Sequence, residues 1–496
     1  MAISVKRLPN KFYPDPTRVI ARFYLPGSSD GKRARIIINR ILAFSEQEVS
    51  RALNEVLADF SNRHRNITKI FEKNFDTVRD ILASVADPLP DRMSHKRKLL
   101  IGSYFTSEYA IEAAAFFNPS IIEDPNQGNL EEGQKRIIVS FRAVGEGHIS
   151  SIVFRSGTIT QNNELIFKPA GRFVDLPEAL KLHVYDKDQF LKKLHEMHIE
   201  KDIIGAVMDR LGNSFTYHEL QESIEESTQS VTLSYTKKKV LDSMNWLASS
   251  HYEITFSLDT DLSERVIFPV SAHESNGIED ARFVKFTDDD GSITYYATYT
   301  AYDGYTIMPK SIETKDFYHF KISPIHGEHV QNKNLALFPR KIGGLYTMIS
   351  RYDGVNNYLM FSDDIHVWHD ARKIQEPQYP WEFIQLGNCG SPLETEKGWL
   401  MITHGVGPMR RYSLGAVLLD LEDPSLIIGQ LKEPLLMANE EEREGYVPNV
   451  VYSCGSLIHN GDLMIPYGMS DYASSFVTVR LDELLDRLLN GQRLET

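Results

Sequence analysis

Apolar residues recur along this chain with two different periods, and the change of period divides it. Val19-Ile20-Ala21-Arg22-Phe23-Tyr24-Leu25, closed by Pro26-Gly27, has the β-branched and aromatic character of a strand, and a second apolar run follows at Ile36-Ile37-Ile38. From Ser45 the period lengthens. Ser45-Glu46-Gln47-Glu48 reads as a helix N-cap with acids in the first turn, and Val49, Leu53, Val56, Leu57 and Phe60 then follow at helical spacing. A second helix is predicted through Ile67, Ile70, Phe71, Phe75, Val78 and Ile81, and Asp87-Pro88-Leu89-Pro90 reads as a linker. Residues 1–95 are therefore expected to form an α+β module, read as an arm for interaction or homo-oligomerisation. Residues 100–180 and 250–480 consist of short β-branched and aromatic runs punctuated by Gly, Asp, Asn and Pro. Between them, about 180–250 is polar and helical, an insertion in a β domain covering 96–496.

The strand-rich part repeats itself. Tyr302-Asp303-Gly304, closing one strand, matches Tyr352-Asp353-Gly354, and Asp316 with its following aromatics matches Asp364 with Trp368. A unit of about 50 residues holding several short strands fits a β-propeller blade, a four-stranded sheet that needs neighbours on both faces. The strand-rich length accommodates five or six such units; five is taken, and the fold class expected is all-β, a five-bladed propeller. The repeated acids read as turn residues, because chemistry performed once has no need of them in every blade.

Composition narrows the class. With 42% hydrophobic and 25% charged residues and a mean hydropathy of −0.31, this is an ordinary globular chain of several domains. No apolar run is long enough for a transmembrane helix, and no secretory leader is legible at the N-terminus. Two cysteines, Cys389 and Cys454, make neither a disulfide framework nor a four-cysteine zinc site, and a cytoplasmic location is expected. A net charge of −14 does not draw nucleic acid or anionic lipid. No spacing suggests a metal.

Candidate chemistry lies on three stretches. Ser140-Phe141-Arg142-Ala143-Val144-Gly145-Glu146-Gly147-His148 carries Arg142, Glu146 and His148 after an apolar strand. Asn276-Gly277-Ile278-Glu279-Asp280-Ala281-Arg282 places two acids and a base at a strand start, and Gly445 to Gly455 carries Asn449. Paired carboxylates with Arg and Asn to orient hydroxyls are what glycosidic cleavage requires. Beside these readings stand blander ones: Glu146 as a partner of Arg142, His148 as polar lining, Glu440 to Glu444 as a solvated run, and Trp381 and Trp399 as packing between sheets.

The sequence resembles glycoside hydrolase family 130, the β-mannoside phosphorylases and β-mannosidases on five-bladed propellers. The likeness is carried by Asn118-Pro119, Phe141-Arg142-Ala143, Gly277 to Arg282, Thr300 to Gly304, Leu337 to Ile342, Ser362 to Trp368, Thr403-His404-Gly405-Val406, Leu418 to Pro424 and Val447-Pro448-Asn449-Val450-Val451. It implies that Asp280 is the general acid, acting through a sugar hydroxyl, with Ala281 where Pro is usual. Glu279 or Glu146 would then position or activate the attacking group, and Arg142, Arg282, His404, Asn449, Asn118 and Tyr302 would hold the sugar. It further implies a phosphate site on Lys333, Arg351 and Lys310 in a phosphorylase. Ile307-Met308-Pro309-Lys310 and Ser350-Arg351 depart from the phosphorylase pattern. The expectation is therefore inverting hydrolysis of a non-reducing-end β-mannosyl residue, with phosphorolysis as the alternative and a non-catalytic sugar-binding propeller as the second. No cofactor is implied beyond phosphate as co-substrate.

Overall fold

The computed structural model describes residues 3–27, 31–84, 89–90, 92–180, 184–196, 201–228 and 234–490; the predicted linker at Asp87-Pro88 lies outside them. Most of the strands are built into five antiparallel sheets. The first orders Val266–Ile267, Ser150–Ile159, Lys135–Val144 and Ala115–Glu123, with Leu165–Phe167 on the side. The second runs Gly277–Thr287, Ile293–Tyr302, Ile307–Thr314, His319–Pro324, Tyr252–Thr255 and Glu178–Leu180. The third holds Ala336–Leu337, Tyr346–Ser350, Asn357–Ser362 and Asp370–Gln375, and the fourth Gln385–Asn388, Gly398–Val406, Tyr412–Leu419 and Ile427–Gln430, with Leu393–Thr395 beside Gly398–Val406. In the fifth, Val451–Tyr452, Asp462–Met469 and Ala473–Arg480 are joined by Val5–Arg7 from the other end of the chain, while Leu457–His459 pairs on the side.

Strand alternation explains why the sheets stack rather than face water. Ile137, Val139 and Phe141 point into one core with Met464 and Phe476 of the fifth sheet. Ile138, between them, points into another with Phe283 and Phe320 of the second. Similar layers lie between second and third sheets (Phe286, Met348), third and fourth (Leu359, Trp399) and fourth and fifth (Ile402, Ile465). A sheet apolar on both faces is stable only between two others, and each of the five has two neighbours. The repeated acids are turn residues: Asp303 Oδ1 accepts from the Tyr305 amide, Asp353 from those of Val355 and Asn356, Asp316 from those of Tyr318 and His319, and Asp364 from that of His366.

The N-terminal segment has its own core, from Ala21 to Phe105. Its helix Glu46–Phe60 starts at a capping box, with Ser45 and Glu48 each bonding the other's backbone. Three details differ from the sequence expectation. Ile36-Ile37-Ile38 lies in the helix Lys32–Leu42, where Ile38 and Ile41 face the core. The segment continues past residue 95 through the helix His95–Tyr104 to the strand Thr106–Ala110, which pairs with Val19–Phe23. Residues 5–7 leave it for the fifth sheet. Buried Glu112 bolts this segment to the first sheet, pairing with Arg18 at 2.8 Å and Arg155 at 2.9 Å. The helical insertion has a separate core, among it Phe190, Val207, Phe215 and Met244. It leaves and re-enters through Glu178–Leu180 and Tyr252–Thr255, which pair with each other at the edge of the second sheet remote from Gly277–Thr287. Among the described residues no helix is long and apolar enough to cross a membrane.

Candidate active site

Two β-bulges place the central side chains. In Ala115–Glu123 the register slips between Phe117 and Ser120, and in Gly277–Thr287 between Glu279 and Arg282. Asn118 and Asp280 sit in these slips with φ of 48° and 55°, the left-handed region that Asn and Asp tolerate better than most residues. Each bulge turns its side chain out of the strand alternation, and the two meet: Asn118 Nδ2 donates to Asp280 Oδ1 at 2.7 Å. Both line an open cleft with Arg142, Lys333, Asn334, Arg351, Gln385, His404, Arg410, Tyr412, Tyr452 and Asp471, among others.

Asp280 is surrounded by cations. Arg142 reaches its Oδ1 at 3.5 Å and Glu279 at 2.7 Å, and Lys333 closes on the other oxygen of Glu279. Glu279 thus holds Arg142 and Lys333 in place and is not among the residues lining the cleft. Arg282, 1% exposed, is also behind the wall, donating to the Asp280 carbonyl at 2.8 Å and to the Tyr452 hydroxyl at 2.6 Å. Burial alone would raise the Asp280 pKa; Arg142, Arg282, Lys333 and the Asn118 hydrogen bond outweigh it and hold the carboxyl below its ordinary range.

Arg351 is the cation with least compensation. It is 7% exposed, its Nε has no partner, and its NH1 approaches His404 Nε2 at 3.3 Å. His404 is kept neutral, its pKa driven well down by burial and by Arg351 and Arg282. Its Nδ1 lies 3.2 Å from the Asn388 carbonyl, which leaves Nε2 to accept from Arg351. Among the described residues no carboxylate forms an ion pair with Arg351, and burial lowers even its pKa. A buried guanidinium with a neutral partner and an open cleft in front of it is a site for an anion.

Sequence reasoning missed Asp471, Arg410, Gln385, Tyr412 and Tyr452. Burial, with Asp280 adding to it, pushes Asp471 up to about 6 against the pull of Arg142 and Arg410. Arg410 had a legible signal, because Val406-Gly407-Pro408-Met409-Arg410 echoes Val144-Gly145-Glu146-Gly147-His148. Asp471 had little: one acid in the tight turn between Asp462–Met469 and Ala473–Arg480.

Besides Glu279 and Arg282, four more expected site residues do not line the cleft. Glu146 is exposed in the turn Glu146–His148, offering its backbone carbonyl to the Tyr109 hydroxyl at 2.8 Å, and does not line the cleft. Tyr302 donates to the Gly304 carbonyl at 2.9 Å in its own turn. Asn449, at φ 63°, flanks the lining residues Val447 and Val450 and offers its carbonyl to the Tyr412 amide. Lys310 is fully buried in a separate cluster, 2.7 Å from Glu274 and over the Tyr252 ring, so it does not reach the cleft. Burial would raise the Glu274 carboxyl, yet Lys310 and its other donors hold it at about 2. Within the acidic run, Glu442 is buried and clasped by Arg7 through two oxygens at 2.8 and 2.9 Å. Trp381 and Trp399 donate to the carbonyls of Lys432 and Leu421, in packing roles.

A family model described as beta-1,4-mannooligosaccharide phosphorylase, that of glycoside hydrolase family 130, matches residues 229–490. The 1,2-beta-oligomannan phosphorylase of Thermoanaerobacter sp. (strain X514) is 37% identical over 218 residues, 42% of this chain and 70% of that protein. The beta-1,2-mannobiose phosphorylase of Listeria innocua is 28% identical over 269 residues, 51% of this chain and 72% of that one. The solved complex of a Listeria innocua beta-1,2-mannobiose phosphorylase with beta-1,2-mannobiose covers 77% of this chain and 93% of its own, with 22% identity and a TM-score of 0.44. The match over more than half the chain takes in Asp280, Lys333, Arg351, His404 and Asp471, which the sheets gather from far-apart segments, and on that match the chain belongs to glycoside hydrolase family 130.

Proposed function

We propose that this chain is an enzyme acting on β-mannosides, an inverting phosphorylase that removes the non-reducing-end mannosyl residue of a short oligosaccharide as mannose 1-phosphate, on a five-bladed propeller closed by Val5–Arg7. The propeller reading is supported by five sheets that each share a core with two neighbours. The phosphorylase names of the relatives support the reaction class. The observation that carries phosphorolysis over hydrolysis is Arg351: buried, without a carboxylate ion-pair partner among the described residues, and facing a cleft that also presents Arg410 and Lys333. Water needs no such cradle; a phosphate dianion does. Arg410 supplies a cation that the sequence departures at Lys310 and Ser350 made seem absent.

The charge balance also accounts for how Asp280 becomes an acid. In the free protein its cationic neighbours hold it ionised. A dianion entering beside Lys333 and Arg351 offsets those cations and raises the proton affinity of Asp280. Protonated Asp280 then passes its proton, through a sugar hydroxyl, to the glycosidic oxygen as a phosphate oxygen attacks the anomeric carbon from the opposite face. The C–O bond to the leaving sugar breaks, a C–O bond to phosphate forms, and the proton surrendered by monohydrogen phosphate restores Asp280. Incubation with β-1,2- and β-1,4-mannobiose, with and without phosphate, tests the reading. Mannose 1-phosphate supports it; mannose alone means hydrolysis, and no product means a binding protein.

A further inference from the structure

Two hairpin tips in different sheets have the same conformation. Gly145 and Gly407 open them at φ −110°, ψ −155° and φ −112°, ψ −160°, and Ile149 and Arg411 close them at φ −72°, ψ 122° and φ −71°, ψ 121°. Between them Gly147 and His148 lie at φ 67° and 59°, and Met409 and Arg410 at 59° and 55°. The Gly145 amide donates to Ile149 at 3.2 Å and the Gly407 amide to Arg411 at 3.0 Å. His148 therefore occupies in the first sheet the position that Arg410 occupies in the fourth, and Arg410 lines the cleft. Two consecutive left-handed residues aim each side chain the same way relative to its hairpin.

What His148 meets there is Tyr446, whose neighbour Val447 lines the cleft. Their rings lie 5.2 Å apart at 33°, and Tyr446 is 68% exposed. An open aromatic pair beside a polar, strongly charged cleft offers an exposed apolar surface for the C–H face of a pyranose, while polar groups grip the hydroxyl edge.

We propose that His148 and Tyr446 form an aromatic step at the mouth of the cleft that binds the sugar ring on the leaving-group side, so that the preferred ligand is a saccharide of at least two rings. This rests on the β-mannoside reading above. The step selects by ring stacking: an acceptor sugar without a flat C–H face, or none, loses the contact. The test is calorimetric binding in an Asp280→Asn background, where ligand is not consumed. Tyr446→Ala and His148→Ala should each weaken either mannobiose about tenfold while changing mannose less than about twofold, and Tyr446→Phe should restore mannobiose binding. Equal losses for mannose and mannobiose, no loss, or a parent protein that binds neither mannobiose would overturn the proposal. If mannobiose binding depends on Tyr446 but wild-type protein makes no mannose 1-phosphate, the step stands and the reaction reading falls.

Discussion

Replacing Arg351 by Met should make the protein more stable and a worse enzyme at once. The guanidinium is 7% exposed, its direct partner is neutral His404, and among the described residues no carboxylate forms an ion pair with it. An ion left buried without a counter-charge costs several kcal/mol, and an apolar side chain of similar length escapes that penalty, for a gain of about 1–3 kcal/mol. In a chain this large such a gain corresponds to a rise of about 1–3 °C in Tm. Phosphate binding moves the other way. Two charge-assisted hydrogen bonds from one guanidinium are together worth about 3 kcal/mol, so kcat/KM for phosphate should fall roughly 100-fold. Thermal unfolding with and without phosphate, beside initial rates at varied phosphate, reads both arms. Saturating wild-type protein at about 100 times Kd should add about 2.7 kcal/mol, an increment that Arg351→Met should lose. A variant of lower Tm with an unchanged KM for phosphate would refute the reasoning, since Arg351 would then serve only as a structural partner of His404.

Asp280→Asn should cut kcat about 10³-fold and also lower Tm, because the Asn118 hydrogen bond can still end on the amide oxygen but the buried cations around it lose a counter-charge; retained turnover would reject Asp280 as the proton donor. The raised pKa of Asp471, about 6 against 3.8, means the folded state holds its proton where the unfolded state does not. That contribution is complete below about pH 4 and lost as pH rises through 6, so Asp471→Asn should flatten this part of the stability profile and raise Tm at pH 7; an unchanged profile would contradict the environment described. Lys310→Met should lower Tm strongly by stranding Glu274, about 3 kcal/mol or more, while the folded fraction keeps its KM for phosphate; a shifted KM would return Lys310 to the phosphate site.

How much of this was legible beforehand differs between residues. Asp280 was legible because it lies in the contiguous stretch Gly277 to Arg282, Lys333 only through the family resemblance, and the Ser45 N-cap because its bonds join residues three apart. Glu146 was favoured for its place after an apolar strand, but the hairpin tip carries it into solvent. Lys310 sits in a buried alternation whose inward side no motif reveals, and it points to Glu274 rather than the cleft. Asp471 became visible only when the fifth sheet was set beside the first, whereas Arg410 left a trace in the repeat of Val144 to His148 at Val406 to Arg410.

The sequence by itself determined what is local: strand and helix periods, turn acids in the repeats, caps, and a composition with two cysteines and no apolar run long enough for a membrane-spanning helix. These depend on neighbours within a few positions, where backbone geometry is the dominant constraint. The tertiary structure decided which charges share one space. Arg142 and Glu279 are 137 residues apart and Asn118 and Asp280 are 162 apart, yet each pair is in direct contact. Burial and Coulomb interaction act through distance in space, so the low pKa of Asp280, the raised one of Asp471 and the uncompensated charge of Arg351 arise only once the sheets have packed.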